Sequence, residues 1–285
     1  MLHITDSRTG APAALASGRL TRVDAHPRGA DVPTAVRILL VADVLARALD
    51  IGGAPVRTGL ITPDLPAEVR PWAAALGIRP PDAQGDIARV AGELGGGRGV
   101  QVCARGGGVD GGVHIEVAGV EWAAADAAVW PDAEPGAGAG AGAGGGPPGA
   151  SGAASGPASG AASSGPASVS VSASALRLAL LAHPRGMPLR LTEEKLAEAA
   201  EVLGRWRGSV ARWATEPSRP IPDDVRRELR GTWENDLDLP ALIETLDRLE
   251  RGGADDVPRG ALFEAFVYAD RVLGVELARE IGGPM

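Results

Sequence analysis

The sequence has few cysteines, lysines, tyrosines and phenylalanines, and these shortages limit what the protein can be. Cys103 is the only cysteine among 285 residues, so the chain cannot form an internal disulfide or a cysteine-rich zinc site. Lys195 is the only lysine among 28 basic residues, so any step that needs a lysine depends on it. With one tyrosine and two phenylalanines, part of this long chain is not ordinary folded core.

Long apolar runs and an excess of basic charge are also missing. The best apolar run, residues 38–42, ends at Asp43, far short of the roughly 20 residues that a membrane helix needs. The N-terminus lacks the basic and apolar segments of a signal peptide. Acidic residues outnumber basic ones by 36 to 28, which disfavours general nucleic-acid binding. The sequence therefore predicts a cytoplasmic protein that binds no membrane.

Glycine and proline are abundant, with 41 and 23 residues. Residues 135–168 contain only Gly, Ala, Pro and Ser, which bury too little apolar surface to offset the entropy lost on ordering. This predicts a disordered, protease-sensitive linker over residues 131–170. It would join an N-terminal domain of residues 1–130 to a C-terminal domain of residues 171–285.

The N-terminal part alternates β-branched runs with helical spacing, which is typical of βαβ units and a parallel sheet. Asp31 as N-cap, Pro33 in the first turn and Gly52 at the end predict a helix over 33–50. The spacing also predicts a helix over 66–76 and loops in two glycine-rich segments, 95–99 and 106–112. The predicted strands are 19–25, 56–61, 100–103 and 113–122.

The C-terminal part has the pattern of a small helical bundle. Thr192 can cap a helix whose apolar residues recur every three or four positions up to Trp213. Proline and glycine mark the ends of two further helices. Together, five helices are predicted, over 174–182, 193–213, 222–233, 240–251 and 258–273.

Three stretches of the chain match segments of a known protein family, and their order and approximate spacing are the same as in that family. Residues 37–47 place Arg37, Asp43 and Arg47 on the first predicted helix. Residues 175–194 follow the linker, and residues 235–242 pair with 269–274 in the helical part. These stretches resemble the helix after the HIGH signature, the segment after the KMSKS loop, and the two ends of the helical domain in the cysteinyl-tRNA synthetase family. That family includes the ligase that joins cysteine to glucosaminyl-inositol in mycothiol synthesis.

The resemblance implies a Rossmann-like class I synthetase nucleotide-binding domain followed by a helical domain, without an anticodon-binding domain. In the family, backbone N–H groups at the first helix receive ATP phosphates while histidines and a mobile lysine loop stabilise the transition state. At the signature position this chain has Val-Pro-Thr-Ala, residues 32–35, without histidine. The linker stands where the lysine loop would be, and Lys195 lies some twenty residues beyond that position. The chain is therefore expected to lack adenylate-forming activity and to have no catalytic residues.

The resemblance still implies a nucleotide cleft. Helix-start N–H groups of residues 33–36, together with Arg28 or Arg37, would hold an adenylate weakly, whereas Asp31 would place a carboxylate near its phosphates. ATP is the one cofactor left open. No metal is expected. Ala25 or His26 stands where the family has a cysteine metal ligand, and Cys103, His114 and Glu116 without a second cysteine are an incomplete ligand set for zinc. The cleft candidates are His26, Arg28, Asp31, Thr34, Arg37, Thr62 and Asp64.

Three functions remain open at this point. The first is a degenerate synthetase paralogue that acts as a binding or regulatory module for an amino acid or adenylate. The second is an ATP-dependent ligase that couples cysteine or another amino acid to a small amine, with Arg28, Thr34, Arg37 and Asp64 replacing the lost signature. The third is a scaffold whose acidic helices bind a protein partner.

Overall fold

A five-stranded parallel sheet forms the centre of the N-terminal half. The computed structural model describes residues 1–15, 20–62, 64–95, 98–107, 110–122, 172–252 and 257–282. In order across the sheet, the strands are β5 (Ala83–Gly85), β4 (Val56–Ile61), β3 (Thr21–His26), β6 (Arg98–Ala104) and β7 (Val113–Val117). The strand order reverses between β3 and β6, which makes this pair the switch point of a doubly wound, Rossmann-like sheet.

Helices cover both faces of the sheet. α1 (Val32–Ile51) connects β3 to β4 and packs on β3, β4, β6 and β7, and the short α2 (Val69–Ala75) packs against α1. On the face that carries Asp24, α3 (Ile87–Leu94) contacts β4 and β5. Gly59 permits this approach, because a Cβ there would lie 2.5 Å from Asp24 Oδ1 and 2.7 Å from Val90 of α3.

The predicted strand over 113–122 is interrupted at residues 118–119, so that β8 (Val120–Trp122) leaves the main sheet. β8 pairs in parallel with β9 (Leu189–Leu191) from the C-terminal half. β1 (His3–Thr5) and β2 (Pro12–Ala14) form a separate antiparallel pair that was not predicted. The loop predicted over 95–99 is wrong at its end, because β6 begins at Arg98.

The C-terminal half contains the five helices that the sequence predicts. Three of these helices are capped at their starts by the side chains of Ser172, Thr192 and Asp238, each of which accepts a backbone N–H from the first turn. No helix in the described ranges is long and apolar enough to cross a membrane. The helices are α4 (Ala173–Leu181), α5 (Glu193–Trp213), α6 (Asp223–Glu234), α7 (Leu239–Arg251) and α8 (Arg259–Leu273).

The described halves share one hydrophobic core, and α1 packs against α8. Arg177 of α4 is fully buried at this junction. It forms an ion pair with Asp43 of α1 at 2.8 Å and donates to the carbonyls of Leu76 and Leu273 at 2.7 and 2.5 Å. The predicted linker over 131–170 lies outside the described residues, and the domain limits stay a prediction.

Because of this junction, we expect the two halves to remain associated after the chain is cut between them. The cut is made at a protease recognition sequence placed within the predicted linker, residues 131–170. Size-exclusion chromatography should then show one particle of intact mass, while a denaturing gel shows two fragments. Separation of the fragments under native conditions would contradict the shared core and favour two independent domains.

Candidate functional site

A cleft of about 560 Å³ opens at the carboxyl ends of β3, β4 and β6. It lies beside the switch point between β3 and β6, where ligands of doubly wound sheets characteristically bind. The start of α3 forms part of its wall. The lining residues are His26, Arg28, Ile61, Thr62, Gly85, Asp86, Ile87, Cys103, Ala104, Gly107 and Asp110.

Three of the seven candidate residues, His26, Arg28 and Thr62, line this cleft. Thr62 donates its hydroxyl to the carbonyl of Asp64 at 2.8 Å, and the side chain of Asp64 is exposed outside the lining. Asp31, Thr34 and Arg37 are also absent from the described lining. The structure therefore brings together less than half of the predicted set.

Thr34 and Arg37 have a structural role away from the cleft, because both form hydrogen bonds to the backbone of distant segments. Thr34 Oγ1 accepts the Val120 N–H at 3.1 Å and so anchors β8. The buried Arg37 guanidinium has no carboxylate partner among the described residues and is satisfied by backbone oxygens instead. Burial lowers the pKa of Arg37 to about 10, which leaves it protonated at neutral pH. It donates to four carbonyls at 2.9–3.2 Å, those of Ala118, His183, Pro184 and Met187.

The start of α1 is a poor anion receptor, because the backbone donors of residues 33–35 are absent or already used. Pro33 has no N–H group, and the Thr34 N–H donates to the Asp31 carboxylate at 2.9 Å. The Ala35 N–H donates to the Asp31 carbonyl at 2.8 Å. The expectation that residues 33–36 offer free N–H groups is therefore wrong for the first three.

The start of α3 repeats this arrangement inside the cleft. Asp86 caps α3 by accepting the Arg89 N–H at 2.8 Å, and it lines the cleft together with Asp110. Asp86 was not predicted, although an aspartate after the turn residue Gly85 is a typical N-cap signal. Arg28 is the only arginine or lysine among the described lining residues; it is exposed and unpaired in the described part of the chain.

His26 and Cys103 lie opposite each other on neighbouring strands at the floor of the cleft. Burial raises the pKa of the Cys103 thiol, and the charge of Glu116 raises it further, so this thiol is not an activated nucleophile. Within the described ranges, no three histidine, cysteine or carboxylate side chains are placed to hold a metal ion.

Comparison with known proteins gives relatives over part of the chain, although no family model matches it. The L-cysteine:1D-myo-inositol 2-amino-2-deoxy-alpha-D-glucopyranoside ligase of Streptomyces scabiei is 38% identical over 112 residues, covering 38% of this chain and 26% of the relative. The ligase of the same name from Streptosporangium roseum is 38% identical over 107 residues, covering 36% and 25%. That of Kribbella flavida is 37% identical over 103 residues, covering 36% and 24%.

The chain therefore spans about a quarter of the length of the curated relatives it matches. Their shared name supports the resemblance read from residues 37–47, 175–194 and 235–274, and the Rossmann-like sheet followed by helices agrees with it. Over slightly more than a third of its length, this chain is similar to cysteine ligases of the class I cysteinyl-tRNA synthetase-like family.

Proposed function

We propose that this protein is a relative of the cysteine ligases that binds a small ligand in the switch-point cleft without forming an adenylate. The observation that carries this proposal is the lack of free backbone N–H donors at residues 33–35, at the start of the first crossover helix, α1. The start of α1 is closed by Asp31 and contains Pro33 where a phosphate would need backbone donors. The cleft itself remains open and has the volume for a nucleoside-sized molecule.

The electrostatics of the cleft favour a neutral or cationic ligand over a polyphosphate. Asp86 and Asp110 place two carboxyl side chains in the lining, against the single guanidinium of Arg28. Lys195 lines a different cavity, beside α4 and α7. Pyrophosphate release from ATP needs cationic donors around the leaving group, and the described cleft supplies only one.

The ligase alternative is less well supported by the geometry. Of its four proposed substitutes, only Arg28 lines the cleft, whereas Thr34 and Arg37 bind the backbone elsewhere. The scaffold alternative concerns the acidic helical half, and no specific contact in the described residues favours it.

Ligand-dependent melting tests the proposed function. We expect adenosine and a nonhydrolysable cysteinyl-sulfamoyl adenosine to raise Tm more than AMP, and AMP more than ATP, because added phosphates meet the carboxylates of Asp86 and Asp110 in the cleft. A ligand at about 100 times its Kd stabilises the native state by ~2.7 kcal/mol, which raises Tm by several degrees in a protein of this size. Cysteine alone should be tested beside them.

Matched variants make the ranking specific. Asp86→Asn keeps the N-cap and removes the charge, so we expect ATP to raise Tm more in this variant than in the native protein. Asp64→Asn changes an exposed carboxylate outside the cleft lining and serves as control. No response to any of these compounds, or a larger response of the native protein to ATP than to adenosine, would contradict the proposed function.

A further inference from the structure

A buried row of polar side chains crosses the centre of the sheet and ends at the cleft. Arg22, Asp24 and His26 alternate along β3 on one face, and Gln101 of β6 is the register partner of Asp24. Asp24 is fully buried, Gln101 is 2% exposed and His26 is 9% exposed. This sheet face is therefore polar at its middle, which is unusual for a strand pair buried on both sides.

Each hydrogen bond in the row fixes the direction of the next. Arg22 Nε forms an ion pair with the Asp24 carboxylate, at 2.8 Å to Oδ2. A carboxylate only accepts, so the Gln101 atom that approaches Asp24 Oδ2 at 3.1 Å is the amide nitrogen. The amide oxygen of Gln101 then faces His26 Nε2 at 2.5 Å. Because this oxygen also only accepts, the proton of the ring must be on Nε2.

The second ring nitrogen has a different environment. A neutral imidazole protonated on Nε2 leaves Nδ1 as an acceptor. In the described part of the chain Nδ1 has no hydrogen-bond partner, and it is not among the fully buried polar atoms that lack one. Since His26 lines the cleft, we take Nδ1 to be accessible from the cleft.

We infer that the row Arg22–Asp24–Gln101 holds His26 in the Nε2-protonated tautomer and presents Nδ1 to the cleft as an acceptor for an N–H or O–H group of the ligand. This inference rests on the proposed function and specifies the ligand chemistry: an amine or hydroxyl group binds at His26. Gln101 and Asp24 act as positioning residues, because they reach the ligand only through His26.

The charge state of His26 agrees with an acceptor role. Burial lowers the pKa of His26, and His114 and Arg22 lower it as well, while Gln101 and Asp24 oppose the shift without reversing it. Cys103 lies on the neighbouring strand β6 and Glu116 on the next strand, β7, while Arg28, Asp86 and Asp110 line the same cleft as His26. The ring is therefore neutral at pH 7, and binding through Nδ1 should weaken only as the pH falls below the ordinary histidine range.

Nitrogen-15 NMR of the histidine rings in the ligand-free protein tests the tautomer. We expect His26 to show a protonated Nε2 and an unprotonated Nδ1 at pH 7, and Gln101→Leu to give a mixture of tautomers or a changed His26 pKa. Gln84→Leu, a change on strand β5, should leave the signals as they are. A protonated Nδ1 in the native protein would overturn the inference, whatever the variants do.

Calorimetric titration with adenosine, which carries amine and hydroxyl donors, tests the ligand contact. We expect His26→Phe to weaken binding about tenfold, the equivalent of one hydrogen bond of 1.4 kcal/mol, while His3→Phe on β1 does not. Unchanged affinity in His26→Phe would overturn this inference and leave the proposed function standing. Absence of adenosine binding to the native protein would overturn the ligand contact but not the tautomer, and only a failure of all the compounds tested by melting would overturn the proposed function as well.

Discussion

Replacement of Arg177 by alanine is expected to lower the free energy of unfolding by about 3–5 kcal/mol, the range for removal of one partner of a buried ion pair. Arg177 and Asp43 have side chains that are each 1% exposed, and the guanidinium also satisfies the carbonyls of Leu76 and Leu273. The substitution leaves these two oxygens without their donor. It also removes the contact that joins α4 to α1 and α8.

Urea denaturation monitored by tryptophan fluorescence measures this loss. Arg89→Ala is the matched control, because Arg89 forms a solvent-exposed pair with Glu93 within one helix, and such pairs contribute little to stability. A loss below about 1 kcal/mol in Arg177→Ala would show that Arg177 does not stabilise the junction.

The same ion pair gives the stability a pH dependence of known sign. Burial would raise the pKa of Asp43, but Arg177 and Arg47 outweigh burial and hold the pKa below the ordinary 3.8. The stabilisation is therefore present above pH 3.8 and is lost as the pH falls through the lower pKa of the folded state. Arg177→Ala should reduce this acid dependence.

Local signals in the sequence were sufficient for α1, α2 and the five C-terminal helices, but α3 was not predicted. The cap at Asp31, the proline at position 33, the apolar spacing from Val36 to Val44 and Gly52 predict α1 within one residue of its observed ends. In contrast, β1, β2, β5 and β9 have three residues each, too few for a period of two to be recognised, and they form through contacts with distant segments.

The site was predicted only in part, because its decisive contacts cross the sheet. His26 and Arg28 follow directly from the end of a predicted strand. Gln101 does not, because its pairing with Asp24 depends on the register of β3 and β6. Arg37 was placed in the cleft by its position beside the helix start, but the carbonyls that hold it belong to residues 118 and 183–187, far away in sequence.

The purified protein is also expected to show no cysteine-dependent exchange between pyrophosphate and ATP above background. The start of α1 carries no histidine, its donors are blocked by Asp31 and Pro33, and Arg28 is the only arginine or lysine in the described cleft lining. Loss of one preorganised donor typically lowers the rate by about 100- to 1000-fold, and loss of several should leave turnover near background.

A contaminating synthetase is the main source of error in such an assay. The variant Arg28→Ala distinguishes exchange by a contaminant from exchange in the cleft of this protein. Exchange that persists unchanged in this variant comes from the contaminant, whereas exchange that disappears comes from the cleft. Arg89→Ala, an exposed change on α3, controls for general effects of removing an arginine.

Exchange and adenosine binding measured on one preparation test the central claim most directly, since the claim is a cleft that binds but does not activate. The account predicts saturable binding of adenosine together with exchange at the level of a protein-free blank. Robust cysteine-dependent exchange that Arg28→Ala abolishes would contradict it and would establish the chain as an ATP-dependent ligase.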